Sequence, residues 1–108
     1  MNNKRRSAIN RIKKEIISTD ITQETYKAFF DSIYDKIYDI QMEEQDSYDN
    51  MPENLQFSIR GISSDIAISA LENAMEIAEE IQNYDYNEEY IKEDVNKIID
   101  LLDEAIFC

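Results

Sequence analysis

The sequence predicts an all-α fold: either a small bundle of about four helices, or an antiparallel helical hairpin that dimerises. Along most of the 108 residues, apolar side chains recur at steps of three and four, the period of an amphipathic helix. The chain contains only one proline, Pro52, and one glycine, Gly61, so helices are interrupted mainly at one place. Because each helix has one wide apolar face that it cannot bury alone, we expect the helices to pack together.

The first predicted helix spans about residues 3–17, with Ile9, Ile12 and Ile16 on one stripe. Residues 1–14 carry six basic side chains and no acid, whereas the rest of the chain has a net charge of −19. We therefore predict a single domain, 1–108, composed of a basic N-terminal helix (1–17) and an acidic helical body (18–108).

The second predicted helix runs to about Gln45, with N-cap candidates at Ser18, Thr19 and Asp20 and with Gln23 as the capping-box partner of Asp20. Its apolar positions follow a 4-3-4-3 rhythm and are Tyr26, Phe30, Ile33, Ile37 and Ile40. The helix must end before Met51, because Pro52 disfavours the helical conformation at the preceding residue.

The segment around the proline and the glycine predicts a turn between two long helices. Pro52 can begin a short helical turn, since its missing N–H costs nothing at a first helical position. Ser58 is the expected N-cap of the next helix. Gly61 then falls in the first turn, where close approach of another backbone explains a glycine.

The third helix is predicted from about Ser58 to Gln82, and the last helix begins after a capping box formed by Asp85 and Glu88. The predicted apolar stripe of the third helix is Ile62, Ile66, Ala70, Ala74, Ile77 and Ile81. That of the last helix is Ile91, Val95, Ile98, Leu102 and Ala105.

The composition argues against an enzyme, and we expect no cofactor. Without histidine there is no imidazole catalysis and no histidine metal ligand. The lone Cys108 is a poor nucleophile without a histidine, and one glycine cannot build a phosphate-binding loop.

One catalytic alternative remains. All-α nucleotide pyrophosphohydrolases hold Mg²⁺ with acid pairs three residues apart on neighbouring helices, and carboxylates suit such a hard ion. Two pairs here have that spacing: Glu76 with Glu79, and Asp100 with Asp103. They fall mainly away from the apolar stripes, where acids are ordinarily solvated.

The sequence also predicts a cytoplasmic protein with no membrane segment. The basic start is not followed by the apolar run of about 7–15 residues that a signal peptide requires. No stretch approaches the ~18–20 apolar residues of a membrane span. Cys108 has no second cysteine with which to form an internal disulfide, which fits a reducing compartment.

Residues 49–61 read D-N-M-P-E-N-L-Q-x-S-x-R-G and precede the acidic helix ALENAMEIAEEI. This pattern resembles an element of small uncharacterised helical proteins of phages and other mobile elements in low-GC bacteria. The resemblance covers about residues 46–81, with Ile62 in place of the usual acid after Arg-Gly. It implies a helix, a proline-containing turn and a second acidic helix, and it implies no activity.

The acidic rows predict a binding surface for a host protein with a basic patch, because carboxylates one helical turn apart lie roughly 5–6 Å from each other. A row of that kind can mimic a nucleic-acid backbone, which the resemblance favours, since phage inhibitors use such mimicry. Tyrosines in the loop before the last helix suit an interface as well. The predicted partner-binding residues are Asp31, Asp35, Asp39, Glu43, Glu72, Glu76, Glu79, Glu80, Tyr84 and Tyr86.

Two other binding modes stay open. The basic first helix can neutralise phosphates, which predicts a nucleic-acid-binding accessory protein as the alternative. The charge of −19 on the body opposes nucleic acid within a Debye length of the surface. The wide apolar faces also allow a homodimer.

Overall fold

The computed structural model describes residues 1–108 and has the predicted all-α fold, closed as a bundle within one chain. The helices are α1 (Asn3–Ser18), α2 (Tyr26–Asp49), the single-turn α3 (Glu53–Gln56), α4 (Ile59–Asn83) and α5 (Glu88–Phe107). The bundle is elongated, with extents of 48 × 22 × 18 Å.

The four long helices run alternately up and down. Arg5 near the start of α1 bonds Glu44 near the end of α2, so these helices are antiparallel. Tyr26 at the start of α2 bonds the carbonyl of Tyr84 just past α4, which makes α2 and α4 antiparallel as well. Residues 84–87 then connect α4 to α5, and α1 closes the bundle by packing on both α2 and α5.

The core is one continuous cluster of 19 buried apolar residues drawn from all four long helices. Its α1 members are the three isoleucines of the predicted stripe: Ile9, Ile12 and Ile16. Ala67, Ala70, Ala74 and Ala78 line the buried side of α4, where short side chains let neighbouring helices approach. The basic first helix is therefore part of the packed core.

The stripe predicted for the start of α4 is wrong. Ile62 is 52% exposed and Ile66 is 41% exposed, whereas Ser64 and Ala67 are buried. In this part of α4 the buried side faces α2, where small and polar residues replace large apolar ones. Apolar periodicity cannot detect such a face. Further along α4 the prediction holds, since Ala70, Ala74 and Ile81 are buried.

Two of the three predicted helix starts are also wrong. None of Ser18, Thr19 and Asp20 caps α2, whose N-cap is Thr25 without any side-chain capping bond. Helix α5 is capped by Asn87, whose Oδ1 accepts from the Tyr90 N–H at 3.1 Å, and not by Asp85. In both places an aspartate upstream of the true N-cap has the side chain that capping requires: Asp20 lies five residues before Thr25, and Asp85 lies two residues before Asn87. Ser58 caps α4 as predicted, accepting from the Gly61 N–H at 3.4 Å.

The cap assignment at α5 can be tested by mutation. We expect Asn87→Ala to lower the free energy of unfolding by about 1 kcal/mol, because one N–H of the first turn loses its acceptor. Asp85→Ala should change it by less than about 0.5 kcal/mol. Urea titrations monitored by circular dichroism measure both. An equal or larger loss of stability for Asp85→Ala would instead support Asp85 as the N-cap of α5.

A short helical turn follows Pro52 as predicted, although Pro52 precedes its first helical residue, Glu53. Pro52 is the N-cap of α3, and its carbonyl accepts from the N–H groups of Leu55 and Gln56. Helix α3 packs against α4 at Gly61. A Cβ on Gly61 would lie 2.5 Å from the Leu55 carbonyl oxygen and would also meet the carbonyl of Gln56. Close backbone approach is thus the confirmed reason for the glycine.

Candidate protein-binding surface

The basic side chains of α1 are partly neutralised by the body of the bundle. Arg5 bonds the buried Glu44 through Nε at 2.7 Å, and Lys13 forms an ion pair with Asp103. Arg6 Nε donates to the carbonyl of Ile106 at 3.1 Å, near the C-terminal end of α5. A cation is also favourable there because it lies at the negative end of the helix dipole. These contacts tie α1 to α2 and α5.

The remaining cations of α1 form no ion pair: Lys4, Arg11 and Lys14 are exposed and have no acid within 4 Å. Lys4 and Arg11 line a groove between α1 and α2, with a volume of about 460 Å³. The opposite wall of the groove carries Asp39 and Glu43. Two of the predicted partner-binding acids therefore face a basic helix of the same chain.

The acidic row of α2 winds around the helix because four residues make more than one turn. Each i,i+4 step advances 400°, so successive acids rotate by about 40° around the helix. Asp31 and Glu43, at the two ends of the row, therefore differ by about 120° around α2. Asp39 and Glu43 line the groove beside α1, whereas Asp31 and Asp35 do not.

Three acids of α4 lie at the same end of the bundle as Asp31 and Asp35. The antiparallel register set by Tyr26 and Tyr84 places the first turns of α2 level with the last turns of α4. We call this region the acidic end and define it by the residues Asp31, Asp35, Glu76, Glu79, Glu80, Tyr84 and Tyr86. Its five carboxylates are all exposed. Glu72 lies further along α4, where its Oε1 accepts from Gln41 Nε2 at 3.2 Å.

Negative charge is concentrated around the acidic end. Residues 20–36 and 76–94, which form this part of the bundle, contain twelve Asp and Glu against three Lys. Two of those lysines have partners: Lys36 binds Glu15, and Lys92 binds Glu88 in the same helix. These two segments around the acidic end therefore have a net charge of −9, against −13 for the whole chain.

The tyrosines of the acidic end are fixed by one another and by α5. The rings of Tyr26 and Tyr86 are tilted against each other with centroids 5.4 Å apart. The hydroxyl of Tyr84 donates to Asp94 Oδ2 at 3.0 Å. Tyr86 and Tyr26 also line a cleft of about 380 Å³ whose walls include Glu24 and Asp85. Sequence reasoning did not assign Glu24 and Asp85 to the surface, because neither belongs to a helical row.

The environment of Tyr84 raises its pKa above the ordinary value of about 10. Burial is the main cause, and the hydrogen bond to Asp94 with the charge of that carboxylate adds to it. The phenol is therefore held neutral by the fold.

This predicts an alkaline loss of stability. The contribution of Tyr84 is fully present below pH ~10 and is lost as the pH rises toward the higher pKa of the folded protein, because the unfolded chain releases its proton first. We expect the free energy of unfolding of Tyr84→Phe to fall less steeply above pH ~10 than that of the wild type. Tyr90→Phe, at an exposed tyrosine, is the control and should keep the wild-type slope. Equal slopes for all three proteins would contradict the prediction.

The four acids of the hydrolase alternative do not assemble. No group of three or more Asp, Glu, Cys or His side chains in the structure is placed to hold a metal ion. Glu76 and Glu79 are exposed, and Asp103 is paired with Lys13. None of the helices combines the length and the apolar character needed to cross a membrane.

Comparisons with known proteins add no assignment. No protein-family model matches the chain, and neither a curated protein nor a solved structure was found to be similar. The resemblance of residues 49–61 to an element of phage and mobile-element proteins stays a prediction. Arguments about function rest on the surface of the bundle itself.

Proposed function

We propose that this chain is a non-enzymatic interaction protein whose acidic end docks onto a basic surface of another protein. The observation that carries the proposal is that Asp31, Asp35 and three α4 glutamates are exposed at the same end of the bundle as the ordered Tyr84 and Tyr86. These acids are exposed, whereas several acids elsewhere, such as Glu44 and Asp103, are bonded to α1.

The acidic end suits a basic partner for two physical reasons. Its carboxylates stand on α2 and α4, whose backbones are held rigid by the core. Binding therefore has to order little more than the rotamers of the carboxylate side chains themselves. Concentrated charge steers an oppositely charged partner and makes binding depend on salt. The tyrosines add apolar area that ends in hydrogen-bonding groups.

The resemblance extends the proposal to a biological setting. Carboxylates at helical spacing can imitate a nucleic-acid backbone, so the partner is proposed to be a cytoplasmic host protein that handles nucleic acid or acts in defence. The chain, encoded by a phage or mobile element, would then inhibit that host protein by occupying its basic site.

Capture from a bacterial lysate on the immobilised full chain, at low and at high salt, tests the proposal. We expect basic proteins to bind at low salt and to be released by high salt, with identification by mass spectrometry. Recovery of acidic proteins only, or of proteins that high salt does not release, would contradict docking through the acidic end.

A nucleic-acid-binding accessory protein is the second candidate, supported by the unpaired Lys4, Arg11 and Lys14. The structure excludes truncation of residues 1–14 as its test, because Ile9 and Ile12 belong to the core. Neutralising the three exposed cations by Lys4→Gln, Arg11→Gln and Lys14→Gln leaves the core intact. Nucleic acid that is captured by the wild type and lost with this variant would favour the second candidate. The hydrolase, third, has no assembled site in its support.

A further inference from the structure

The first turns of α4 carry an exposed apolar patch that the bundle does not use. Five of the ten large apolar side chains that are exposed lie between residues 55 and 66. We call them the α4 stripe, and they are Leu55, Phe57, Ile59, Ile62 and Ile66. Phe57 is 77% exposed and Ile59 is 85% exposed, values unusual for such large apolar groups in the absence of a partner.

The α4 stripe is confined to one end of α4 and to the short α3 segment packed there. Ile59, Ile62 and Ile66 are spaced three and four apart, so they share one side of α4. Helix α3, with Leu55, is held against the same end of α4 by the close contact at Gly61. Because α4 has 25 residues and its antiparallel neighbour α5 has 20, the first turns of α4 project by roughly 7 Å, more than one turn.

Charge separates the α4 stripe from the rest of this acidic protein. Residues 54–66 contain two charged side chains of opposite sign, Arg60 and Asp65. The glutamates of the acidic end begin at Glu76, about 15 Å beyond Ile66 along α4. A second molecule of this chain, although strongly negative overall, therefore meets little repulsion at the α4 stripe, since ~15 Å exceeds the Debye length at physiological salt.

The area of the α4 stripe matches the need of a small dimer. With side-chain areas of roughly 150–200 Å², the exposed fractions amount to about 500 Å² per chain. Two such patches bury about 1,000 Å², the lower limit of a specific interface. A two-fold axis needs only one patch that is complementary to itself, and an uncharged apolar helix face meets that requirement.

We propose that the α4 stripe binds the α4 stripe of a second copy, so that the protein is a two-fold dimer in solution. Antiparallel crossing near Ile62 directs the two acidic ends away from each other. Each dimer then offers two acidic ends to partners. The proposal rests on the α4 stripe alone and stands whether or not the acidic end binds a basic protein.

Sedimentation equilibrium on the full chain tests the dimer. We expect the wild type to approach twice the monomer mass at roughly 100 µM and to dissociate in the low micromolar range, as fits an interface of this size. Ile59→Glu and, separately, Ile62→Glu should shift the midpoint at least about tenfold toward monomer, because each places a charge at the contact. Both positions are exposed, so circular dichroism should show unchanged helix content.

Ile17→Glu is the matched control, since Ile17 is 72% exposed at the end of α1 and lies outside the α4 stripe. It should dimerise as the wild type does. A wild type that remains monomeric at roughly 100 µM overturns the proposal and leaves the stripe to a different protein. A dimer that both α4 variants retain, or that Ile17→Glu dissolves, overturns it as well.

Discussion

Glu44→Ala is expected to lower the free energy of unfolding by about 3 kcal/mol, the largest loss that we predict for a single polar side chain. Glu44 is 1% exposed near the end of α2. Its Oε2 accepts from Arg5 Nε at 2.7 Å and its Oε1 from Ser64 Oγ at 2.8 Å. The alanine removes both acceptors, which leaves the half-buried guanidinium of Arg5 and the buried hydroxyl of Ser64 unpaired.

The neighbouring residue provides the control for this effect. Glu43 is exposed and has no ion pair, so Glu43→Ala should change the free energy of unfolding by less than about 0.5 kcal/mol. Urea denaturation of both variants, together with Arg5→Ala and the double variant Arg5→Ala with Glu44→Ala, forms a mutant cycle. The two single losses should not add. Fully additive losses, or a loss for Glu44→Ala no larger than for Glu43→Ala, would contradict a network linking α1, α2 and α4.

Gly61→Ala is expected to destabilise the protein by about 1–3 kcal/mol, although alanine is the better helix former by about 1 kcal/mol. The added Cβ would approach the carbonyl groups of Leu55 and Gln56. These are backbone atoms, so relief requires α3 to move away from α4 as a unit. The steric cost therefore exceeds the gain in propensity.

The sign of the change in stability shows whether the steric cost of the added Cβ or the gain in helix propensity is larger. Ser69→Ala, at an exposed position in the same helix, should be neutral or slightly stabilising through propensity alone. A stability gain for Gly61→Ala comparable to that of Ser69→Ala would show that α3 does not constrain α4. Thermal and urea unfolding of the two variants, compared with the wild type, measure the difference.

The fold was predictable where a helix faces the core with large apolar residues. Ile9, Ile12 and Ile16 on α1, and Ile91, Ile98 and Leu102 on α5, are buried as their spacing predicts. The first turns of α4 were not, because the buried residues there are Gly61, Ser64 and Ala67, while Ile59, Ile62 and Ile66 face outward. Periodicity reports which side is apolar, and at this point the apolar side and the buried side differ.

The residue types of the candidate binding surface were predictable from the sequence, whereas their arrangement in space was less predictable. The rotation that turns Glu43 by about 120° from Asp31 follows from 3.6 residues per turn and was available from the sequence. Glu44 carried a signal too, since it continues the 4-3-4-3 rhythm at a position reserved for apolar residues. Its partner Arg5, 39 residues away, was not available, because pairing of that kind depends on how the helices pack.

Docking through the acidic end requires that the location of the acidic charge, and not its amount, determines binding. Capture from a bacterial lysate at low salt with two variants of equal net charge tests this requirement. One variant neutralises the acidic end by Asp31→Asn, Asp35→Asn, Glu76→Gln and Glu79→Gln. The other neutralises four exposed acids elsewhere by Asp46→Asn, Asp65→Asn, Glu53→Gln and Glu104→Gln. We predict that the salt-released basic proteins bound by the wild type are retained by the second variant and lost by the first. Equal retention or equal loss by the two variants would contradict a binding surface at the acidic end.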